Sequence, residues 1–285
     1  MAKKQPQPKK NYVIAVVSDI HAGCRLSVCS PEVSLDGGSG YTPSKVQQGL
    51  YAWWEEYWRW VRKFAGTRPI IIVNVGDSLE GVHHQTISTI SNNLADQEEV
   101  AYRLLEEPVK MACGRYYHIR GTEAHAGKSG QEEERLAKRL GAVPDDTGAH
   151  ARYELWLNVD GKVIHFTHHI GTSGSVGASA TALQKEAEQF LVDSARWGKA
   201  IPDALVRGHR HHCNLVSLPT RQGNVLALSM PSWQLKTTFA FRVSAGRCMT
   251  PEVGEAILYS DEDRGSLEVA TKLFAVDPPR VELPR

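Results

Sequence analysis

The chain has 285 residues, enough to bury a sizeable core as one large domain or one domain with insertions. Its 33 basic and 32 acidic residues leave a formal net charge of +1. That balance excludes a global field for nucleic acid or membrane, so a polyanion would have to be held by a local patch or by bound metal. No run approaches the roughly 20 apolar residues of a membrane span, and no membrane partner is expected. Five cysteines (Cys24, Cys29, Cys113, Cys213 and Cys248) are odd in number and lack CxxC spacing, which points to a reduced, cytoplasmic setting.

Residues 1–10, "MAKKQPQPKK", read as a solvated basic tail, because the apolar run that follows is short and leads into "SDIH" instead of a cleavage site. "NYVIAVVSD" is a β-branched run of strand length. Residues 24–42 carry Gly, Ser and Pro without periodicity and read as a long loop. Thr42 and Pro43 then serve as N-cap and first position of a helix. Val46, Leu50, Trp53, Trp54, Tyr57, Trp60, Val61 and Phe64 form its apolar stripe, and Gly66 ends it. Tyr51 and Trp58 fall outside that stripe, which leaves two readings: packing under an insertion or another subunit, or a stacking surface for bases.

"PIIIVNVGD" is a second buried strand, and a helical stretch follows over about 92–112, interrupted near Pro108. "RYYHIRG" is a third strand, and a charged helix covers about 130–140. "ARYELWLNVDGKVIHFTHH" reads as a hairpin turning at Asp160-Gly161. Residues 178–198 are helical, "DALVRGH" is a further strand, and two more strands flank a turn at Gln222-Gly223. "EAILYS" and "LEVATKLFAV" have the pattern of strands that complete a sheet or extend an oligomer contact, so a homo-oligomer stays open. Helices among strands early and hairpins late suggest an α/β sandwich with sheets inside and helices outside.

Every polar cluster of interest follows a strand, where open α/β sheets bind ligands. The clusters are "SDIHAG" (Asp19, His21), "VGDSLEG" (Asp77), "RGTEAHAG" (Glu123, His125), "FTHHIG" (His168, His169) and "VRGHRHH" (His209, His211, His212). Each alone has an ordinary explanation as a turn cap or a satisfied core histidine. Together they alternate carboxylate and imidazole in the manner wanted by two divalent ions of the Zn, Mn or Fe kind. In an extended Asp-x-His or His-x-His, residues i and i+2 point the same way, so both can face one cavity. Of the adjacent pair after "VIHFT", His168 is the expected ligand and His169 points to the other side.

In these blocks the sequence resembles the calcineurin-like metallophosphoesterases, whose ordered pattern is D-x-H, G-D, G-N-H, H and G-H-x-H; the match runs from about residue 12 to residue 212. The resemblance implies a four-layer αββα sandwich of two mixed β-sheets flanked by helices. It implies a catalytic domain over 11–245 with an insertion at about 24–66, and a strand-rich extension of that domain over 246–285. It also implies two divalent ions, manganese foremost, with zinc, iron or nickel as alternatives. Carried over, one ion takes Asp19, His21, Asp77 and His211, and the other shares Asp77 and adds His168 and His209.

The third block departs from the pattern, with "GTEAH" where the family has G-N-H. Without a gap, Thr122 stands in the asparagine position and Glu123 in that of the histidine. With a gap, Glu123 becomes a second-site ligand and His125 the proton donor, which fills both roles with capable groups and is preferred. This form resembles one associated with phage and prophage members.

The resemblance further implies a metal-bridging hydroxide as nucleophile and His125 as general acid, in a phosphodiesterase or nuclease acting on DNA, RNA or a nucleotide. Two divalent ions with Asp19, Asp77 and hydroxide leave about +1, and Glu123 brings the site near neutral, which favours a diester monoanion over a monoester dianion. Arg120, Arg207 and Arg210 are expected to restore positive charge, with Arg120 and Arg210 meeting the substrate. A phosphomonoesterase and a non-catalytic, metal-stabilised binding protein are the alternatives. The Gly/Ser-rich residues 171–180 read either as a loop over the substrate or as a plain connection.

Overall fold

The computed structural model describes residues 11–83, 87–171, 179–221, 223–243, 252–261 and 265–277. The basic tail, most of the 171–180 loop, Gln222 and Cys248 lie outside the described residues.

The first buried run forms Val13–Val17 (β1), and the long loop contains a small ribbon of Val33–Ser34 (β2) and Gly40–Tyr41 (β3). The aromatic helix is Lys45–Ala65 (α1). Its N-cap is Ser44, two residues later than Thr42. Gln47 decides between them, because its backbone N–H donates to Ser44 Oγ while its Oε1 accepts from the Ser44 N–H, and Tyr41 Oη donates to the same Oε1 at 2.8 Å. Trp58 is buried edge-on against Trp54 and Tyr57, and half-buried Tyr51 packs on the same core.

Ile70–Asn74 (β4) precedes Leu94–Met111 (α2), which runs through Pro108 without a break. Pro108 sits three residues from the helix end on its buried face, where packing offsets the missing N–H. Then follow Tyr116–Ile119 (β5), the single turn Glu123–Ala126 (α3), Gln131–Arg139 (α4) and Ala151–Arg152 (β6). The expected hairpin is Glu154–Val159 (β7) with Lys162–Thr167 (β8), and its turn residue Asp160 has φ 53° beside Gly161 at 86°. The "AR" that opens this stretch belongs to a different sheet from "ELWLNV", so the chain crosses between sheets at Tyr153. The remainder is Ser179–Trp197 (α5), Ala204–Arg207 (β9), Asn214–Thr220 (β10), Gly223–Ser229 (β11), Thr238–Val243 (α6), Val253–Ser260 (β12) and Leu267–Phe274 (β13).

Two mixed sheets result. The first has the order β13-β12-β1-β4-β5-β6, with β1, β4, β5 and β6 parallel and β12 and β13 antiparallel. The second has the order β10-β11-β9-β8-β7, with a parallel centre and antiparallel edges. Ile14, Val16, Ile71 and Val73 meet Leu157, Ile164, Phe166 and Val206 between the sheets. The outer face of the first sheet packs on α1, α2 and α4, and that of the second on α5. The architecture is therefore the four-layer αββα sandwich. No helix among the described residues is long and apolar enough to cross a membrane.

The register sets up the site. Val17 is level with Asn74, Asn74 with His118, and Thr167 with Arg207, so the turns after β1, β4 and β5 leave one sheet together, as those after β8 and β9 leave the other.

Candidate metal centre

The turns are stitched to one another by backbone hydrogen bonds. Asp19 N–H donates to the Gly76 carbonyl, His21 N–H to that of Asp77, and Gly208 N–H to that of His168, each at 3.0 Å. Contact is close enough that a methyl at Gly121 would overlap Asp77 Oδ1, and one at Gly208 would overlap Ser18 Oγ and His168 Nδ1. Asp19, His21, Asp77, His209 and His211 all have positive φ, between 49° and 71°. Such backbone costs about 1–3 kcal/mol per residue and persists only where the surroundings hold it.

Two groups of candidate ligands emerge, each with its ligand atoms within 4.8 Å of one another: Asp19, His21 and His211, and Asp77, His168 and His209. In the first, His21 Nε2 lies 3.1 Å from His211 Nε2, and His211 Nε2 lies 3.2 Å from Asp19 Oδ1. In the second, His168 Nε2 lies 3.0 Å from Asp77 Oδ2. His168 is buried, and its Nδ1 donates to the Val75 carbonyl at 2.6 Å, which leaves Nε2 as the nitrogen that would face an ion once it has lost its proton. A buried nitrogen locked by a carbonyl behind it and facing a carboxylate in front is how a metal-ligating imidazole is set. Two imidazoles and a carboxylate in each group fit a divalent transition ion. His169, by contrast, is exposed.

The electrostatics agree with cation sites. Burial would raise the Asp19 carboxyl, but His211 and His21 outweigh it and hold it well below the usual range; Asp77 is likewise depressed, by His168 and His125. Burial disfavours charge on His168, yet Asp77 and Asp19 push it up to about 9. His21, between Asp19 and Glu80, rises to about 10. His209 and His125 go the other way, to about 4, through burial and the neighbouring His168 and His21 respectively.

"GTEAH" resolves differently from the preferred alignment. Thr122 is the N-cap of α3; its N–H donates to Asp77 Oδ1 at 2.7 Å and its hydroxyl to the same oxygen at 3.2 Å. Glu123, the first residue of that turn, is exposed and belongs to neither group. The helix start that presents Thr122 to Asp77 turns the next side chain outward, away from the place expected of Glu123 as a ligand. His125 does face inward. Its Nδ1 donates to the Glu80 carbonyl at 2.5 Å, and its Nε2 lies 4.0 Å from Asp77 Oδ2.

Glu80 is the residue sequence reasoning passed over. It is buried, forms a third group with His21 and His125, and stands 3.2 Å from His21 Nδ1, the ring nitrogen opposite the one facing His211. Gln234 Nε2 donates to it at 2.9 Å. The signal was present as a carboxylate three residues after Asp77 in "VGDSLEG".

The arginines are engaged elsewhere. Arg120 donates to the Ala151 carbonyl, stacks over Tyr153 and pairs with Glu134. Arg207 is fully buried against Glu186 and His165, and Arg210 donates to the Gly171 carbonyl. In these poses Arg120 and Arg207 add no cation to the groups.

No family profile matches the chain, and no curated protein matches it. Solved structures of similar course include a conserved uncharacterized Streptococcus pneumoniae protein described as a predicted phosphoesterase, 12% identical with a TM-score of 0.35, covering 91% of this chain and 97% of that one. A Thermotoga maritima protein solved by NMR is 13% identical with a TM-score of 0.37, covering 92% and 99%. The Thermus thermophilus sulfate thiohydrolase SoxB in complex with glycerol is 10% identical with a TM-score of 0.37, covering 95% and 57%. Likeness at this level speaks to neither activity nor substrate, and the chemistry has to be argued from the two ligand groups themselves.

Proposed function

We propose that the chain is a metal-dependent hydrolase of phosphodiesters, with one divalent ion on Asp19, His21 and His211, another on His168 and His209, and Asp77 shared between them. The observation that carries the reading is the buried Nε2 of His168, aimed at Asp77 Oδ2 from 3.0 Å, with His209 in the same group. Two such ions, when bound, polarise phosphoryl oxygens and activate water at neutral pH.

The chain's own residues set the geometry. Val75 fixes the His168 tautomer, Glu80 orients His21 from behind, and Thr122 holds Asp77 Oδ1 so that Oδ2 faces His168. His125 turns Nε2 inward because Nδ1 is engaged by the Glu80 carbonyl. At about 4 its imidazole is neutral at pH 7. An anionic phosphoryl group beside Nε2 raises that value, so His125 gains a proton with the substrate and passes it to the leaving alkoxide.

Glu80 supplies the third carboxylate that charge counting had assigned to Glu123. Asp19, Asp77 and Glu80 set three negative charges against four from two divalent ions, which leaves about +1 before a nucleophile joins and favours a diester monoanion. DNA, RNA and cyclic nucleotides are the substrate classes with one such charge per diester, and manganese is the first ion to try. The test is hydrolysis by Mn²⁺-reconstituted protein of an aryl diester, an aryl monoester, single- and double-stranded DNA, RNA and cyclic nucleotides. Faster monoester cleavage would give the phosphomonoesterase instead, and two bound ions with no hydrolysis would give a metal-stabilised binding protein.

A further inference from the structure

Glu133, on α4, is fully buried, and its only ion-pair neighbour among the described residues is His118, whose Nε2 lies 3.2 Å from Oε2. What holds this carboxylate is backbone. Ser78 N–H donates to Oε1 at 2.8 Å and Gly121 N–H to Oε2 at 3.0 Å. Ser78 follows Asp77, and Gly121 precedes Thr122, so one side chain grips both turns that meet at the Thr122 to Asp77 hydrogen bond. His118 is fixed in turn, its Nδ1 lying 2.7 Å from Tyr116 Oη.

We infer that Glu133 is a positioning residue that sets the Asp77 carboxylate for the second ion; this rests on the two-ion reading above. Asp77 sits at φ 52°, a conformation that relaxes unless its flanks are held. Glu133 holds the C-terminal flank from a helix that contributes no ligand. A carboxylate is required for this, because its two oxygens accept two N–H groups at once. A glutamine has one accepting oxygen and an amide N–H₂, which would face one of the two backbone donors. An aspartate keeps both oxygens but is one methylene short of bridging the turns. In either variant Asp77 Oδ2 drifts from His168 Nε2, and the ion is lost before the fold.

The full-length wild type, Glu133→Gln, Glu133→Asp and Leu136→Ala are titrated with Mn²⁺ by calorimetry well below their melting temperatures. Leu136 is buried on the same helix and touches neither turn through a polar atom, so it reports destabilisation alone. Both Glu133 variants are expected to weaken Mn²⁺ binding about 10- to 100-fold, the usual loss when the partner of a ligand is removed, while Leu136→Ala stays within about twofold of wild type. Wild-type affinity in Glu133→Gln, or an equal loss in Leu136→Ala, overturns the inference. If Glu133→Gln does not fold, Glu133→Asp decides by the same comparison. A wild-type chain that takes up no Mn²⁺ overturns the two-ion reading and this inference with it, whereas normal uptake by wild type and Glu133 variants alike overturns this inference alone.

Discussion

Metal binding to this chain should release protons, and their number follows from how the buried carboxylates shift two histidines. In the metal-free chain His168 titrates at about 9 and His21 at about 10, held up by Asp77, Asp19 and Glu80. Both carry a proton at pH 7.5, and an ion can be ligated only by the neutral ring. His209, at about 4, has none to give. Entry of two ions at pH 7.5 therefore expels about two protons per chain, and affinity at each site rises about tenfold, or ~1.4 kcal/mol, for each pH unit up to about 9. Mn²⁺ titration calorimetry in two buffers of different ionisation enthalpy counts the protons. The same linkage acts on stability. Because both folded values lie above the unfolded 6.5, the stabilisation is complete below that pH and is lost as pH rises through about 9 and 10. For His168, the difference between about 9 and 6.5 amounts to roughly 3 kcal/mol. The metal-free chain should thus lose stability between pH 6.5 and 10, while added Mn²⁺ restores it increasingly over the same range. Less than about half a proton per ion, with affinity flat between pH 7 and 8.5, would show that His168 and His21 are neutral without metal and would refute the reasoning.

Asp77→Asn should lower occupancy of both ions by elemental analysis, since the shared carboxylate serves each; a single ion at saturation in the wild type would sink the dinuclear assignment. His168→Ala should cost at least about 100-fold in Mn²⁺ affinity and His169→Ala less than about threefold, because only the first ring is buried beside Asp77; the reverse order would mean the ligand is misassigned. Glu123→Ala should keep both ions whereas Glu80→Gln weakens the first site about tenfold or more, and metal loss in the Glu123 variant would restore that residue as a ligand. His125→Ala should keep both ions and lose turnover, by less for an aryl diester with a nitro-substituted leaving group than for a poorer one; equal losses would remove His125 from the acid role.

Much of the fold was legible because its causes are local. The runs "VIAVV" and "IIIVN" are buried at every position and became central parallel strands, and the apolar stripe of α1 faces the first sheet except at Val46, which is exposed. The misreadings came where a tertiary partner decided between two sound local choices. Thr42 and Ser44 are both capable caps, and only the side chain of Gln47 selects the second. Pro108 is a helix breaker by type, but here it lies on a buried face near the helix end. The crossing at Tyr153 leaves no mark in a continuous alternating pattern, since β6 and β7 each satisfy it. Glu123 and Glu80 illustrate the same limit at the site. Both are glutamates in strand-end blocks; the one-turn helix that begins at Glu123 turns that side chain outward, while Glu80 is held inside by His21 and Gln234.

Asp19 with His21 and His209 with His211 reach the site through left-handed turns and not through strand alternation. Alternation along an extended strand would put residues i and i+2 on one side, and on that ground Asp19 with His21 and His209 with His211 were each expected to share a cavity. None of the four is extended: their φ values are 51°, 49°, 71° and 54°. The consequence is clearest at the second pair, which divides, His209 joining Asp77 and His168 while His211 joins Asp19 and His21. A strand would keep both imidazoles on one side; left-handed turns let two residues apart by two join different groups, the division that the resemblance implies. Such turns need acceptors for the N–H groups they leave over, and the chain supplies them as buried carboxylates, Glu255 for Ser18, Glu133 for Ser78 and Asp19 itself for His209. The residue types at the strand ends are those of a metal site, and the turns that bring them into two groups rest on these acceptors, which come from elements remote in sequence and follow no spacing along the chain.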